Sequence, residues 1–440
     1  MKKPLLLVLL WLPAAAWCAD LLEVYRDAVG YDAQFSAARA ALEAGREKLP
    51  QGRAGLLPQV GLSANSVWNE IDFESRPSTG VVPARYNSNG WGISLTQPLF
   101  RWQNWASYKQ SELAVVQAET QFANARQDLL LRVAQAYFDV LLAQETLASA
   151  QAQKNAIAEQ LDSAKRNFEV GTATITDTHE AQARFDLTSA QEIAATNDLQ
   201  VRRDALQILT GKDVAALKTL KPGMDIQRPQ PDDIIQWMSA AESGNLGVQL
   251  AQAGMEIAER EIGKQRAGHL PTVDVVATRG RSSMQSTLAL GAVRPGSDTD
   301  ATTIGLQLSL PLFAGGAQVS RDREAVALRD KARADLDNAR RQARLAARQS
   351  YLGVTSGLAQ VKALEQGLVS SQSALDSNRL GYEVGVRINI DVLNAQQQLF
   401  STRRDLARAR LDTLAAQLRL KAASGALAEA DLAAVNSLLE

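Results

Sequence analysis

The sequence predicts a mainly α-helical chain with a small membrane β component, built as a tandem structural repeat. Three observations carry this. Motifs recur along the chain at an offset of 213–214 residues. Two pairs of short segments alternate apolar with small or polar residues, the period of a half-buried strand. Two very long stretches hold almost no helix breaker. Composition agrees. The 440 residues are 46% hydrophobic but only 5% aromatic, so Ala, Leu and Val carry the apolar character and favour helix-on-helix packing. Lys and Arg number 47 and Asp and Glu 48, and this balance excludes a nucleic-acid partner, because no basic excess exists to neutralise phosphates. Two histidines and one cysteine leave little material for a zinc or redox centre, and no cofactor pattern is present.

Residues 1–18, MKKPLLLVLLWLPAAAWC, read as a signal peptide: Lys2 and Lys3, a short apolar core from Leu5 to Leu12, then small residues. The apolar run is shorter than the ~20 residues of a spanning helix. Acylation of Cys18 is the alternative, with Trp17 a poor fit just before it. No later stretch is apolar enough for a transmembrane helix; the richest, Leu129 to Leu142, contains Arg132 and Asp139.

The first repeat is expected over 19–230 and the second over 231–425, followed by a short terminal segment at 426–440. RAGLLP ending at Pro58 is answered by RAGHLP ending at Pro271, and TQPLF around Pro98 by SLPLF around Pro311. FEVGTATITD around Gly171 is answered by YEVGVRINID around Gly385. Each repeat opens with a helical segment, Leu21 to Arg53 and Ile234 to Arg266. A strand pair follows, about 58–100 and 271–313, with Val60 to Asn65, Trp91 to Thr96, Val273 to Val275 and Ile304 to Leu310 as its alternating segments. The Gly-, Pro-, Ser- and Asn-rich stretches Asp72 to Ser88 and Ser286 to Thr299 read as loops. A long helix comes next, about 101–170 and 316–384, then a return helix, about 176–210 and 389–424. At 1.5 Å per residue the long helix measures on the order of 100 Å. Such a helix needs neighbours along its length. In it Leu129, Leu130, Val133, Tyr137, Val140 and Leu141 follow three-and-four spacing. An antiparallel coiled coil without a channel is the plainer alternative.

Four strands per chain cannot close a barrel, and an open sheet in a bilayer leaves unsatisfied edges. Closure must be shared, two chains giving about eight strands or three giving about twelve. Trp68, Trp91, Trp102 and Trp105 cluster around the first strand pair, where interfacial aromatics belong, although core filling is the competing role.

RAGLLPQVGL, QAYFDVLLA, QKNAIAEQLDSAKRNFEVGTATITD, GHLPTVD, LPLFAGG and GYEVGVRINIDVLNA occur in this order. In these residues, and over nearly the whole mature length, the chain resembles the TolC family of outer-membrane efflux and secretion ducts. The resemblance implies a homotrimer in outer-membrane lipid, with a twelve-stranded β-barrel continuous with a periplasmic α-helical barrel. Segments 211–230 and 426–440 would form its equatorial belt. It also implies docking to a periplasmic membrane-fusion adaptor and to an inner-membrane pump or ABC transporter. Drugs or proteins would be the cargo, as in tripartite efflux or type I secretion.

By motif match, the family's periplasmic gate links fall on Thr176 and Asp177 at the first helix turn and on Tyr382 and Arg387 at the second. Carboxylate hydrogen bonds from Arg and Tyr would hold the coils inward until a partner outweighs them. Asp177 with Glu180 three residues later also reads as a helix N-terminal signature, and the two roles are compatible. The family's two acidic constriction rings map to Asp391 and Asn394, so the second ring is lost here. This predicts cation-selective conduction with weaker multivalent-cation block than in a duct with both rings. His179, His269 and the glycine pair of LFAGGAQ make no catalytic or phosphate-binding pattern, and no enzyme activity is expected.

Overall fold

The computed structural model describes residues 19–74, 81–213, 216–221, 223–285, 287–289 and 292–440. The signal-peptide reading of 1–18, Cys18 included, falls outside the described residues. In chain order the elements are α1 (Leu21–Tyr31), α2 (Ala33–Arg46), α3 (Lys48–Ala54), β1 (Gln59–Glu74), β2 (Val81–Phe100), α4 (Trp102–Glu169) and α5 (Ile175–Thr210). Then follow α6 (Ile234–Gly244), α7 (Leu246–Arg266), β3 (Thr272–Met284), β4 (Thr287–Ala289), β5 (Ala292–Arg294), β6 (Ser297–Ser309), α8 (Ala317–Glu383), α9 (Asn389–Ala423) and α10 (Glu429–Asn436). They divide into two compact units, one of Met1–Ala40, Gln121–Gln249 and Asn338–Glu440, the other of Ala41–Thr120 and Leu250–Asp337.

The first unit is all helix plus short backbone bridges. Its main core collects Leu129, Leu130, Val133, Tyr137, Val140 and Leu141 from α4, the three-and-four set of the sequence, each nearly free of solvent. Against them pack Leu21 and Val24 of α1, Leu206 of α5, Leu414 and Leu418 of α9, and Leu432 of α10. Each such side chain contributes about 1.5–3 kcal/mol of burial. Tyr137 keeps its hydroxyl satisfied by donating to the Lys218 carbonyl at 2.8 Å. The linker is tied down beside it: Thr219 and Glu440 exchange backbone hydrogen bonds of 3.1 and 2.9 Å, and Ala19 bridges Leu217.

The opening helical segments differ from one continuous helix each. The first breaks into α1, α2 and α3, the second into α6 and α7. Breaks at Asp32 and Asn245 lie one repeat offset apart, and the first segment breaks again at Glu47. The Asp32 carboxylate accepts from the Phe35 backbone N–H at 2.6 Å, and the Asn245 side-chain oxygen from the Gly247 N–H at 2.9 Å. A short polar side chain competes for backbone donors and restarts the helix after itself.

The second unit holds an antiparallel sheet in the order β1-β2-β3-β6, beside a two-stranded β4-β5 hairpin. Its strands run beyond the expected alternating segments: Asp72 stands opposite Pro83, and Asn65 opposite Gly90, within the ladder. The span Asp72 to Ser88, expected as loop, is therefore strand at both ends, and β4, β5 and the start of β6 lie in Ser286 to Thr299. Backbone pairing satisfies itself whatever the side chains, so the ladder outlasts the apolar alternation that announces it.

Candidate functional site

The two helix turns are built alike. After α4 the chain reverses at Gly171, φ +78°, and the Thr172 and Ala173 N–H groups donate to the Asn167 carbonyl at 2.8 and 3.2 Å. After α8 it reverses at Gly385, also φ +78°, and the Val386 and Arg387 N–H groups donate to the Gly381 carbonyl at 2.9 and 3.0 Å. Glycine is needed at both because a side chain disfavours this left-handed backbone.

The turns part company at the next residue. Thr174 is the N-cap of α5, its hydroxyl accepting from the Asp177 N–H at 3.3 Å. The Asp177 carboxylate accepts from the Thr174 N–H at 2.9 Å and from its hydroxyl at 2.8 Å. The partner of Asp177 in its capping box is therefore Thr174, not Glu180. At the equivalent cap of α9 stands Ile388, which has no side chain to cap with. Asp391 is left outside any box, and one carboxylate oxygen lies 3.7 Å from Arg387 Nη1.

The expected gate residues come together only in part within one chain. Tyr382 accepts at its hydroxyl from Asn167 Nδ2 at 3.3 Å, joining α8 to α4. Arg387 lies against Gly381 and reaches Asp391, not Asp177. Thr176 is exposed. Asn394 is also exposed, and its side-chain oxygen accepts from Arg184 Nη2 of α5 at 3.0 Å, while Arg184 Nη1 donates to Gln397. A guanidinium thus stands beside Asn394.

Two groups here had no sequence announcement. Asn389, almost fully buried, accepts from Gln160 Nε2 of α4 at 2.5 Å and donates to the Asp177 carbonyl at 3.4 Å, tying α9 to both helices of the first pair. Leu393, one turn on, packs with Ile157, Leu161, Ala164 and Ala181. The capping Thr174 was findable, since Thr-x-x-Asp before a helix is a capping signature. Around these polar links Val170, Ile175, Val384, Val386 and Ile388 are exposed.

From Val60 to Ala64 of β1 and across their partners, the sheet in the other unit has one apolar and one polar face; nearer the β1-β2 hairpin Val67 and Ile71 lie on the Ser63 side. Opposed residues Leu62, Ile93, Arg279 and Thr302 share a face with Val60, Leu95, Ala277 and Ile304. Leu62, Ile304, Leu306 and Leu308 are each about 70% exposed or more. The other face shows Ser63, Ser94, Thr278 and Thr303. The apolar residues step along the sheet, from Val60–Trp68 on β1 to Ile304–Leu308 on β6, as strands tilted to a membrane require. Trp91 lies opposite Ala64 and Arg281 on the apolar face, and Trp68 continues it toward the β1-β2 hairpin. Trp102 and Trp105 follow the other end of β2; all four rings are exposed. Among the described residues the sheet's outer strands, β1 and β6, have no neighbour on their far sides. Among the described residues no helix is long and apolar enough to cross a membrane, and no acid, histidine and cysteine side chains gather into a metal-binding group.

A family model described as "Outer membrane efflux protein" matches residues 24–212 and 237–426, one match per repeat. The chain belongs to the outer membrane efflux protein family. Relatives span both chains almost fully. The outer membrane protein TolC of Vibrio cholerae is 32% identical over 98% of this chain and 96% of its own. The alkaline protease secretion protein AprF of Pseudomonas aeruginosa is 33% identical over 96% and 88%. In fold, the chain is similar to the outer membrane protein VceC of Vibrio cholerae, with TM-score 0.77 and 20% identity, over 92% of this chain and 96% of that one. The CmeC outer membrane channel of Campylobacter jejuni matches with TM-score 0.80 and 17% identity over 95% and 89%. This efflux-family member is an outer-membrane channel protein with the TolC-like fold and a large periplasmic part.

Proposed function

We propose that three copies of this efflux-family chain close a twelve-stranded barrel and form one exit duct. The observation that carries this is the four-stranded sheet with an exposed apolar face and two open edges. In hydrocarbon each open edge would leave its backbone groups unpaired, and joining β1 of one copy to β6 of the next removes both edges. Four strands also fall short of a closed barrel, which excludes a lone copy. Trp68 and Trp91 on one side, and Trp102 and Trp105 on the other, would sit at the lipid headgroups. Segments 211–230 and 426–440 would form the equatorial belt.

In this reading the two helix turns are the gate. Arg387 and Tyr382 of one copy would meet Thr176 and Asp177 of the next, and Asp391 would line the constriction as a ring. The carboxylate of Asp177 keeps lone pairs free beyond its capping bonds, so capping and gating coexist. A periplasmic adaptor would dock on the exposed Val170, Val384, Val386 and Ile388, and an inner-membrane pump or ABC transporter would supply the energy. The relatives include proteins named for secretion of proteases, AprF and PrtF, beside efflux proteins. Protein secretion and drug efflux are therefore both assigned as cargo routes. Mass measurement of the detergent-solubilised protein tests the assembly, three chains being expected. Planar-bilayer recording tests the channel. Deletion with assays for drug sensitivity and loss of exported protein tests the cargo; a monomer without conductance would overturn the proposal.

A further inference from the structure

In the sheet-bearing unit the start of α4 lies beside α7. Gln110 Nε2 of α4 donates to the Ile257 carbonyl at 3.3 Å and to the Glu261 carboxylate at 2.6 Å. Next to these bonds a groove of about 660 Å³ opens between the two helices. Helix α4 lines it with Trp102, Trp105 and Lys109, and α7 with Glu256, Glu259 and Arg260. Two indole rings, two cations and two carboxylates therefore face one space, whose volume falls within the ~300–1,000 Å³ of small-molecule sites. Lys109 Nζ is held 5.4 Å from the ring centroids of both Trp105 and Tyr108, and 3.1 Å from Glu112. Gln252 donates to Glu256 at 2.9 Å. Glu259 and Arg260 are exposed and, among the described residues, make no hydrogen bond or ion pair. Opposite charges that stand together without pairing are open to a ligand that carries both signs.

Position narrows the ligand further. Trp102 stands two residues past Phe100, the last residue of β2. Lys109 lies about 10 Å further along α4, at 1.5 Å per residue. The headgroup layer on each side of the hydrocarbon is about 5–8 Å thick. The groove therefore starts where the sheet leaves the hydrocarbon and lies at headgroup depth. The Trp102 and Trp105 rings are exposed. An indole gains little in bulk water and most at a boundary with one apolar and one wet side.

We infer that this groove is a binding site for the headgroup of a zwitterionic phospholipid, a phosphate joined to a primary ammonium arm, in the leaflet on the helical side of the barrel. The inference rests on the barrel reading above. Arg260 and Lys109 take the phosphate through charge-assisted hydrogen bonds. Glu259 and Glu256 take the ammonium, and the indole faces add cation–π attraction to it. A phospholipid with an anionic headgroup lacks the ammonium and sets its charge against both carboxylates. The acids of α7 thus select between two lipids that the bases alone would hold equally.

Native mass spectrometry of the full-length protein released from detergent, with phosphatidylethanolamine or phosphatidylglycerol added, tests this. Wild type should retain phosphatidylethanolamine at about tenfold lower lipid concentration than phosphatidylglycerol. Arg260→Gln should weaken retention of both lipids about tenfold. Glu256→Gln with Glu259→Gln should weaken phosphatidylethanolamine alone and erase the preference. Equal retention of the two lipids by wild type, which is the behaviour of unselected boundary lipid, overturns the inference. So do variants that bind as wild type does, and inorganic phosphate retained as well as the lipid, which marks a free-anion site. The same spectra give the oligomer mass and separate the two readings: three chains without a preferred lipid sinks only this site, whereas a monomer sinks the shared barrel as well.

Discussion

One side chain separates the two turns. Thr174 caps α5 and engages Asp177, whereas Ile388 caps nothing and leaves Asp391 to Arg387. Ile388→Thr should therefore build a second capping box with Asp391, slow amide exchange in the first turn of α9 through about 1 kcal/mol of added stability, and loosen the Arg387 contact. Unchanged exchange there would contradict the account. Arg184 alters the expectation for Asn394. An aspartate at 394 would meet a guanidinium already in place, so Asn394→Asp alone should leave multivalent-cation block nearly unchanged in bilayer recordings. Asn394→Asp with Arg184→Gln should strengthen block, by about tenfold if one full unpaired ring is gained. Asp391→Asn should reduce the cation preference read as reversal potential. Asp391 and Asn394 were legible as a motif. Arg184 was not, because its partners lie on another helix 210 and 213 residues away. Away from the turns, Asp32 is buried, accepts from Arg132 at 2.9 and 3.2 Å, and caps α2. The Arg132 hydrogen bonds hold its carboxyl below the ordinary carboxylate range, against the effect of burial. A lowered folded pKa stabilises above the unfolded value of about 4 and is lost as pH falls through the folded value. Acid unfolding of the helical unit should therefore begin below about pH 4. Asp32→Asn should cost about 2–4 kcal/mol at neutral pH and flatten the acid dependence of the melting temperature.

Helices and strands differed in how far their sequences announce them. The long helices α4 and α8 are stretches poor in breakers, and local propensity summed over so many residues suffices. The breaks at Asp32 and Asn245 are not legible in the sequence because an Asx residue inside an apolar helical pattern can face solvent or cap a new helix, and only the neighbouring N–H groups choose. Strand existence followed from alternation, but strand length did not, since beyond Asn65 the ladder mixes apolar with polar partners, as at Val67–Ser88 and Trp68–Asn87, and the apolar positions change face. The two faces of the sheet make opposite predictions for neighbouring positions. Leu62→Arg, on the apolar face, should impair insertion by about 2–4 kcal/mol, seen as loss of the folded species in detergent. Ser63→Arg, on the polar face, should insert normally and alter conductance instead. Equal effects of the two would mean that the sheet does not separate a lipid-facing from a lumen-facing side.

Assembly governs the molecule as a whole. In the trimeric reading proposed above, a chain whose sheet has two open edges and whose helical unit exposes large apolar side chains on α5 and α8 is incomplete alone. Folding linked to association makes stability depend on concentration, so the unfolding midpoint of the detergent-solubilised protein should rise with protein concentration; a midpoint independent of it would argue for a self-sufficient monomer. The duplication, the long helices, the alternating strands and the family motifs were open to reading from residue order, because each is a local or periodic property of the chain. The guanidinium beside Asn394, the burial of Asn389 and the sorting of exposed large apolar side chains to α5 and α8 were not. Each depends on which helices lie side by side, and the residues that meet there stand more than two hundred positions apart in the chain.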